Sequence, residues 1–187
     1  GFFKQGVPDG EGTMTFSDGT KYEGSWLDGK MEGDGMLSMT DGSTFKGKFS
    51  SNNRDGYGEM NYSDGSIFKG NWKNNEKQGN GILIYADKST YEGNWEKGFQ
   101  QGFGKLTTKD GVVLEGEWKN GKIDGIGKLI QSNGDRYEGS LVDWKRNGKG
   151  VSIYTTGEKY DGYFKDDLRH GQGILTGQDG FRYEGNW

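Results

Sequence analysis

The chain of 187 residues contains no cysteine, and this absence excludes a disulfide framework and any thiolate metal site. No stretch approaches the roughly 18 consecutive apolar residues that predict a membrane-spanning helix, and no signal-peptide pattern is visible. A net charge of -4 argues against a nucleic-acid-binding domain.

Bulk apolar residues are also scarce, at 29% of the chain without glycine, where roughly 45–50% including about 7% glycine is usual. Low hydrophobicity is typical of disorder, but disordered chains are poor in aromatic residues. This chain has 14% aromatic residues and 37 glycines. We therefore expect an ordered chain held together by regularly placed rings among glycines.

The sequence repeats with a period of 23 residues, without insertion or deletion. One element has the form aromatic-x-Gly-x-aromatic and begins at Tyr22, Phe45, Phe68, Tyr91, Leu114, Tyr137, Tyr160 and Tyr183, with leucine in place of a ring at Leu114 and Leu141. A second element, Gly-x-Gly, recurs at 10/12, 33/35, 56/58, 79/81, 102/104, 125/127, 148/150 and 171/173. Such self-similarity is the signature of a repeat architecture.

A turn signal lies between these two elements. Asp-Gly stands at 18–19, 41–42, 64–65, 110–111 and 179–180; Asn133-Gly134 is equivalent, Thr156-Gly157 keeps the glycine, and Asp87-Lys88 loses it. Asp-Gly between strand-like runs is a strong hairpin signal, whereas recurrent glycine disfavours helix. Each repeat is predicted to be a strand, a tight turn, a strand and a linker of about six residues.

The length of this turn decides which side chains share a face. A two-residue loop would pair Thr15 with Tyr22 and separate Met14 from the rings. A three-residue loop with Gly19 in the left-handed region pairs Met14 with Tyr22. It gives one apolar face and one polar face, so we prefer it.

The preferred register pairs glycines across strands and leaves troughs in which a ring from a neighbouring strand can lie, as in aromatic rescue of glycine. Neighbouring hairpins would then stabilise one another. The predicted fold is all-β: an elongated, single-layer, twisted antiparallel sheet of tandem hairpins with a groove-like aromatic and glycine face. We predict one continuous array over residues 1–187, with partial repeats at 1–21 and 183–187 and full repeats at 22–44, 45–67, 68–90, 91–113, 114–136, 137–159 and 160–182.

The linkers contain a turn position that tolerates left-handed backbone where it is Gly, Asn or Asp. Trp144 occupies this position in the sixth repeat, which also has Leu141 for tryptophan and Ser152 for the usual Leu or Met. We expect a local distortion there. The remaining bulky apolar linker residues either cap the sheet edge or bind a partner: Met31, Phe99, Ile123 and Leu168.

These motifs resemble the MORN repeat (membrane occupation and recognition nexus), and the match covers the whole chain. The resemblance implies stacked hairpins in a long twisted sheet. It also implies a scaffold or interaction module, most like a fragment of a free-standing protozoan-type MORN scaffold. Such proteins organise cytoskeletal structures at membranes, some form end-to-end dimers, and phosphoinositide binding has been proposed for the family.

The ring-bearing face is the leading candidate for binding a partner, because exposed contiguous apolar surface usually marks an interaction site. The alternative is that the rings pack against one another. The candidate residues are Tyr22, Trp26, Phe45, Phe49, Phe68, Trp72, Tyr91, Trp95, Trp118, Tyr137, Tyr160 and Phe164.

Basic residues suggest a second hypothesis, an anionic phospholipid head group bound by Lys69, Lys73 and Lys77. The bases are dispersed, unlike the dense clusters typical of lipid binding, so protein binding ranks above it. The single histidine, His170, has no second imidazole or thiolate with which to hold a metal.

We predict no catalytic residue, no metal and no cofactor, and hence no enzyme. The expected partner is a protein, presented as a helix or an extended peptide, or a second copy of the chain in a homodimer. The expected location is cytoplasmic, associated with the cytoskeleton or a membrane. A third hypothesis is a regulatory segment of a larger enzyme.

Overall fold

The computed structural model describes all residues from Gly1 to Trp187, and every regular element in it is a β-strand. Two short strands, β1 (Phe3–Lys4) and β2 (Val7–Pro8), pair with each other. Strands β3 to β18 form an antiparallel sheet in which the spatial order of the strands is their order in the chain. The all-β prediction is confirmed.

The chain divides into two compact units, of which the first holds residues 1–88 and 94–98 and the second holds residues 89–93 and 99–187. The strands up to the division are β3 (Gly10–Thr15), β4 (Lys21–Leu27), β5 (Lys30–Ser38), β6 (Thr44–Ser50), β7 (Asn53–Asn61), β8 (Ile67–Lys73), β9 (Glu76–Ile84) and β10 (Thr90–Glu96). The strands after it are β11 (Phe99–Thr107), β12 (Val113–Lys119), β13 (Lys122–Ile130), β14 (Arg136–Val142), β15 (Lys145–Ile153), β16 (Lys159–Lys165), β17 (Leu168–Thr176) and β18 (Arg182–Asn186).

The Asp-Gly turns have the predicted three-residue loop. In the first, Phe16 and Thr20 close the hairpin, with Phe16 N donating to Thr20 O over 2.8 Å and Gly19 N donating to Phe16 O over 3.0 Å. Gly19 has a φ of 92°, the left-handed backbone that such a loop requires. Met14 consequently pairs with Tyr22, so the predicted register is confirmed.

The predicted six-residue linker is wrong, because the chain there forms a second hairpin. Strands β4 and β5 extend to the pair Leu27–Lys30, and only two residues connect them. Asp28 (φ 47°) and Gly29 (φ 77°) both have left-handed backbone, as in a type I′ turn. Each repeat therefore contains two hairpin turns, and the nine-residue strands include most of what had seemed to be linker.

The paired glycines explain how a ring fits against the sheet. Gly24 pairs with Gly35, and the ring of Tyr22 lies over this pair. A Cβ at Gly35 would lie 2.5 Å from Cζ of Tyr22, so no other residue fits without displacing the ring. The predicted seating of a ring from a neighbouring strand is confirmed at Gly35, while Gly24 lies on the same strand as Tyr22.

The first glycine of each Gly-x-Gly has a different function, which the sequence pattern did not reveal. Gly33 has a φ of 74°, and the register of β4 and β5 shifts between Gly24 and Trp26. The extra residues of β5 form a bulge at this point. Equivalent glycines have positive φ in the later repeats, at Gly56, Gly79, Gly102, Gly125, Gly148 and Gly171.

The prediction of a distorted sixth repeat is wrong as far as the strand register is concerned. Strands β14 and β15 pair in the same register as β4 and β5. Leu141 is fully buried at the tryptophan position. Trp144 adopts the left-handed backbone of the turn, with a φ of 73°. The local difference is one hydrogen bond. In the sixth repeat the first turn residue donates, from Asp143 N to Ile123 O over 3.1 Å. In the next repeat the second turn residue, Asp167, is the donor.

Candidate protein-binding surfaces

The ring face, defined as the face that carries the repeated aromatic residues, is held together by edge-to-face ring contacts. In the first unit, Tyr22 contacts both Trp26 and Phe49, with ring centroids 5.1 Å and 5.0 Å apart. The pattern continues from Phe49 to Phe45 and on to Trp72. The first ring of a repeat thus touches the second ring of its own repeat and that of the next, and this edge-to-face geometry stabilises aromatic pairs.

In the second unit the same pattern is interrupted where leucine replaces a ring. Tyr160 contacts Phe164 and Trp187 with centroids 5.0 Å and 5.2 Å apart. Trp118 contacts Tyr91 of the preceding repeat, with ring centroids 4.9 Å apart, but Leu114 gives it no ring partner within its own repeat. Instead it contacts Trp144, the turn residue, at 5.2 Å. The unusual tryptophan of the sixth repeat therefore restores a ring contact that leucine removes.

All the aromatic residues predicted to contact a partner lie together on the ring face and are buried, with at most 6% of the residue exposed: Tyr22, Trp26, Phe45, Phe49, Phe68, Trp72, Tyr91, Trp95, Trp118, Tyr137, Tyr160 and Phe164. They form the core. Contact of these rings with a partner stays a prediction, since the surface that a partner meets is formed by the residues around them.

The hydroxyl groups of the ring-face tyrosines also have internal partners. Tyr22 donates to the carbonyl of Ser25 over 3.0 Å, and Tyr137 donates to Ser140 over 2.7 Å. The pKa of each of these two tyrosines is raised to about 12, chiefly by burial; nearby carboxylates contribute at Tyr22, and Arg146 opposes the rise at Tyr137. Both phenols are therefore neutral hydrogen-bond donors at physiological pH.

A row of residues that we name the cap row covers the rings. Its members lie at the second position of the nine-residue strands, opposite the second ring of the repeat, as in the pairs Trp26–Met31, Phe49–Arg54 and Trp118–Ile123. Met31 and Ile123 are buried, so two of the unexplained apolar residues belong to the core. The other cap residues are Lys77, Gln100, Arg146 and Arg169.

The cationic cap residues lie over aromatic faces. Arg54 stacks 4.5 Å from the ring centroid of Trp72, and Arg169 stacks 4.9 Å from that of Trp187. Such cation–π contacts contribute about 0.5–2 kcal/mol each, and the aliphatic stems exclude water from the rings. Sequence reasoning missed this row, although its 23-residue spacing was visible.

The structure separates the three lysines predicted to bind a lipid head group. Lys69 and Lys73 lie on the opposite side of β8 from Trp72, where they form ion pairs with Glu59 at 3.0 Å and Asp55 at 2.9 Å. Lys77 lies on the ring face, over Trp95. The three do not form one cluster, and lipid binding by them stays a prediction.

The opposite face, which we name the groove face, has a shallow groove in each unit whose floor is the backbone of the paired glycines. In the first unit, Met36 (43% exposed) and Tyr57 (60% exposed) stand beside this floor. Charged side chains complete the lining: Glu11, Glu23, Asp34, Lys46, Lys48 and Glu59.

The groove of the second unit is smaller than that of the first, and one of its two sides is apolar. Phe103 and Ile126 are 54% and 62% exposed and stand beside the Gly116–Gly127 floor. Glu115, Lys128 and Glu138 line the other side. The expectation of a wholly polar second face is therefore wrong, because apolar residues occupy these positions in some repeats and polar residues occupy them in the others.

Two other sequence features have simple positions. His170 is exposed on β17, opposite Tyr163. The chain has no helix with the length and apolarity needed to cross a membrane.

Comparison with known proteins places this architecture among tandem-hairpin repeat proteins. The model of the MORN repeat matches eight consecutive segments, at residues 1–21, 22–44, 45–67, 68–90, 91–113, 115–136, 137–159 and 160–182. The chain belongs to the MORN-repeat family. A search of curated protein sequences found no match.

Several solved structures share the fold at low identity. The TCP domain of Drosophila melanogaster SAS-4, in complex with a proline-rich motif of Ana2, is 16% identical, with 95% of this chain and 90% of that chain covered and a TM-score of 0.53. The TCP10 domain of Danio rerio CPAP is 14% identical, with 92% and 81% covered and a TM-score of 0.55. The CPAP G-box domain is 16% identical, with 94% and 97% covered and a TM-score of 0.52. At this identity the likeness shows the fold.

Proposed function

We propose that this chain is a non-catalytic scaffold that binds a protein partner along the groove face. The observation that carries the proposal is the exposure of Phe103 and Ile126 at 54% and 62% beside a flat glycine floor. Leaving such side chains in water forgoes about 25 cal/mol for each Å² that could be buried. Tyr57 has the same repeat position in the first unit, and Met36 stands on the other side of the glycine floor there.

The shape of the grooves favours an extended peptide. A floor without side chains lets a peptide backbone approach closely, and apolar side chains on one side with charged ones on the other provide specificity. The SAS-4 TCP domain, which shares the fold, is in complex with a proline-rich motif of Ana2. That precedent supports an extended occupant rather than a helix.

The cytoskeletal part of the proposal rests on the same group of structures. One of them is described as suggesting a role in centriole elongation. We propose that the present chain likewise organises a cytoskeletal assembly, in the cytoplasm and with or without an adjacent membrane.

A quantitative pull-down with a paired variant tests the binding surface. Phe103→Ser with Ile126→Ser removes the apolar side of the second groove, while both positions are exposed and tolerate polar residues. The amount of each groove-binding protein recovered with this variant should be at least tenfold lower than with the parent chain. Leu168→Ser, at a residue 72% exposed beside a two-residue turn, is the matched control and should retain them.

If the double variant and the control retain the same proteins, the groove of the second unit is not the binding surface. Light scattering of the purified chain at several concentrations shows whether a second copy is the partner. Flotation with phosphoinositide-containing vesicles compares the parent chain with the double variant Lys69→Glu and Lys73→Glu. Flotation of the parent that is lost in the variant would show that these lysines bind lipid.

A further inference from the structure

The ammonium group of Lys77 lies among three aromatic rings and has no hydrogen-bond acceptor or carboxylate within the protein. Its Nζ is 4.8 Å, 5.1 Å and 5.3 Å from the ring centroids of Trp95, Phe68 and Tyr62. Each of the ion pairs of the first unit uses another lysine: Lys21, Lys48, Lys69 or Lys73. An ammonium has three N–H donors, so those of Lys77 are free for a ligand.

Arg54 occupies the cap position one repeat earlier and also lacks a carboxylate. Its guanidinium donates to the backbone carbonyl of Asn75 over 3.1 Å and to the side-chain oxygen of Asn75 over 3.4 Å. Both acceptors are neutral. The corresponding Arg146 of the second unit differs, because it forms an ion pair with Asp167 at 3.2 Å. Arg146 therefore has a carboxylate partner in the protein, whereas Arg54 and Lys77 have none.

The two charges are therefore partly removed from water without an anion to offset them. Burial lowers the pKa of both groups, and no carboxylate acts in the opposite direction. A partner carboxylate that reached either cation would form a charge-assisted hydrogen bond, which is about twice as strong as a neutral one. Folding has already removed part of the water around each cation, so a ligand has less dehydration free energy to offset when it binds.

We infer that the ring face of the first unit binds acidic side chains of an extended peptide, with one carboxylate at Lys77 and one at Arg54. Equivalent positions in successive repeats are two strand spacings apart, about 9.6 Å. A polyproline II segment advances about 9.3 Å in three residues and returns each third side chain to the same side. The segment that fits carries Asp or Glu three residues apart.

The charge arrangement selects a peptide over a membrane surface. Anionic lipid surfaces attract clusters of 4–8 basic residues. The cap row of the first unit presents two cations, next to the apolar Met31. This site lies on the opposite face from the grooves, so it does not depend on the groove proposal.

Synthetic peptides of Glu-Pro-Pro repeats test the inference, with Gln-Pro-Pro repeats as the uncharged match and Glu-Pro repeats as the spacing control. Binding is measured by isothermal titration at low ionic strength. We expect Glu-Pro-Pro to bind at least fivefold more tightly than either control peptide, and its affinity to fall with added salt.

Lys77→Met and Arg54→Met locate the site on the chain. Methionine is the natural cap residue at Met31, so both variants should keep the far-UV circular dichroism of the parent and a cooperative urea transition. Each should weaken Glu-Pro-Pro binding at least fivefold. Lys46→Met removes the same charge from the groove face and should change the affinity less than twofold.

Equal binding of the Glu and Gln peptides, or unchanged affinity in a folded Lys77→Met variant, would overturn the inference. Loss of binding in Phe103→Ser with Ile126→Ser would move the site to the groove face. Binding of phosphoinositide vesicles, but not peptide, that is lost in Lys77→Met would assign the cations to lipid and refute a peptide ligand.

Discussion

The guanidinium of Arg146 donates a hydrogen bond to the hydroxyl of Ser152, with 3.3 Å between Nη1 and Oγ. Ser152 is 2% exposed and stands where other repeats have Leu or Met. In the second full repeat, residues 45–67, the corresponding pair is Arg54 and Met60, with Nη1 3.8 Å from the sulfur. A cavity of about 90 Å³ lies beside Ser152, Arg146 and Tyr137.

Filling this cavity should stabilise the protein. Ser152→Met reproduces the Arg54–Met60 pair, and we expect an increase of about 1 kcal/mol in the free energy of unfolding, since cavity filling outweighs one lost hydrogen bond. Urea unfolding followed by circular dichroism measures it. Ser152→Ala, which loses the hydrogen bond and fills nothing, should destabilise; equal destabilisation by both substitutions would contradict the account.

The indole of Trp72 provides a second test, because its Nε1 is buried without a hydrogen-bond partner. Trp26, at the same place in another repeat, donates from Nε1 to the Gly12 carbonyl over 3.2 Å. Phenylalanine occupies the position naturally at Phe49. We expect Trp72→Phe to cost about 1 kcal/mol less than Trp26→Phe, because it removes an unsatisfied donor instead of a hydrogen bond. Urea midpoints read by circular dichroism compare them, and a larger cost for Trp72→Phe would be inconsistent.

The repeat predicted the parts of the fold that depend on residues present in nearly every copy. The Asp-Gly loop, the Met14–Tyr22 register and the seating of rings on paired glycines all follow from conformational and steric needs that few residue types meet. The second turn was mistaken for a linker because its residues vary from Asp28-Gly29 to Asp143-Trp144. What they share is backbone conformation, which no single residue type signals.

The cap row and the groove face were missed for a related reason. Cap residues include methionine, arginine, lysine and isoleucine, which share a long aliphatic stem and little else, so chemical similarity did not mark them. The apolar residues of the grooves, such as Phe103 and Ile126, occur on a face where the repeat specifies only strand backbone. Residues that are apolar in only some repeats are not visible in a pattern built from all of them.

The buried tyrosines predict a loss of stability at high pH. The pKa of Tyr137 is raised to about 12 in the folded state, from an ordinary value near 10. Between these values the unfolded chain releases the proton and the folded chain keeps it, so the unfolded state binds fewer protons and stability falls as pH rises. The decrease is at most about 1.4 kcal/mol per pH unit for each tyrosine, and it is absent well below pH 10.

Tyr137→Phe isolates this effect, because phenylalanine occupies the equivalent position at Phe45 and Phe68. Its urea midpoint should decline less steeply than that of the parent between pH 10 and about 12. Phe103→Ser with Ile126→Ser, which changes no titratable group, is the control and should leave the slope unchanged. Parallel curves for the parent and Tyr137→Phe would show that this phenol does not titrate differently on folding.

The glycine pairs give the sharpest steric prediction. A Cβ at Gly81 would lie 2.5 Å from Cζ of Phe68, whereas one at Gly65, in the Asp-Gly turn, would meet nothing within 4 Å. Gly65 has a φ of 87°, so alanine there carries only backbone strain of about 1–2 kcal/mol. We expect Gly81→Ala to cost about 3 kcal/mol, because it displaces a fully buried ring.

A second substitution at the ring tests whether the glycine and the ring depend on each other. Phe68→Leu introduces the residue that the chain has naturally at Leu114, and it shortens the side chain above Gly81. Combined with Gly81→Ala, it should cost less than the sum of the two single changes, because the shorter side chain leaves room for the added Cβ. A double-mutant cycle in urea measures this coupling, and strict additivity would show that the ring does not require the glycine.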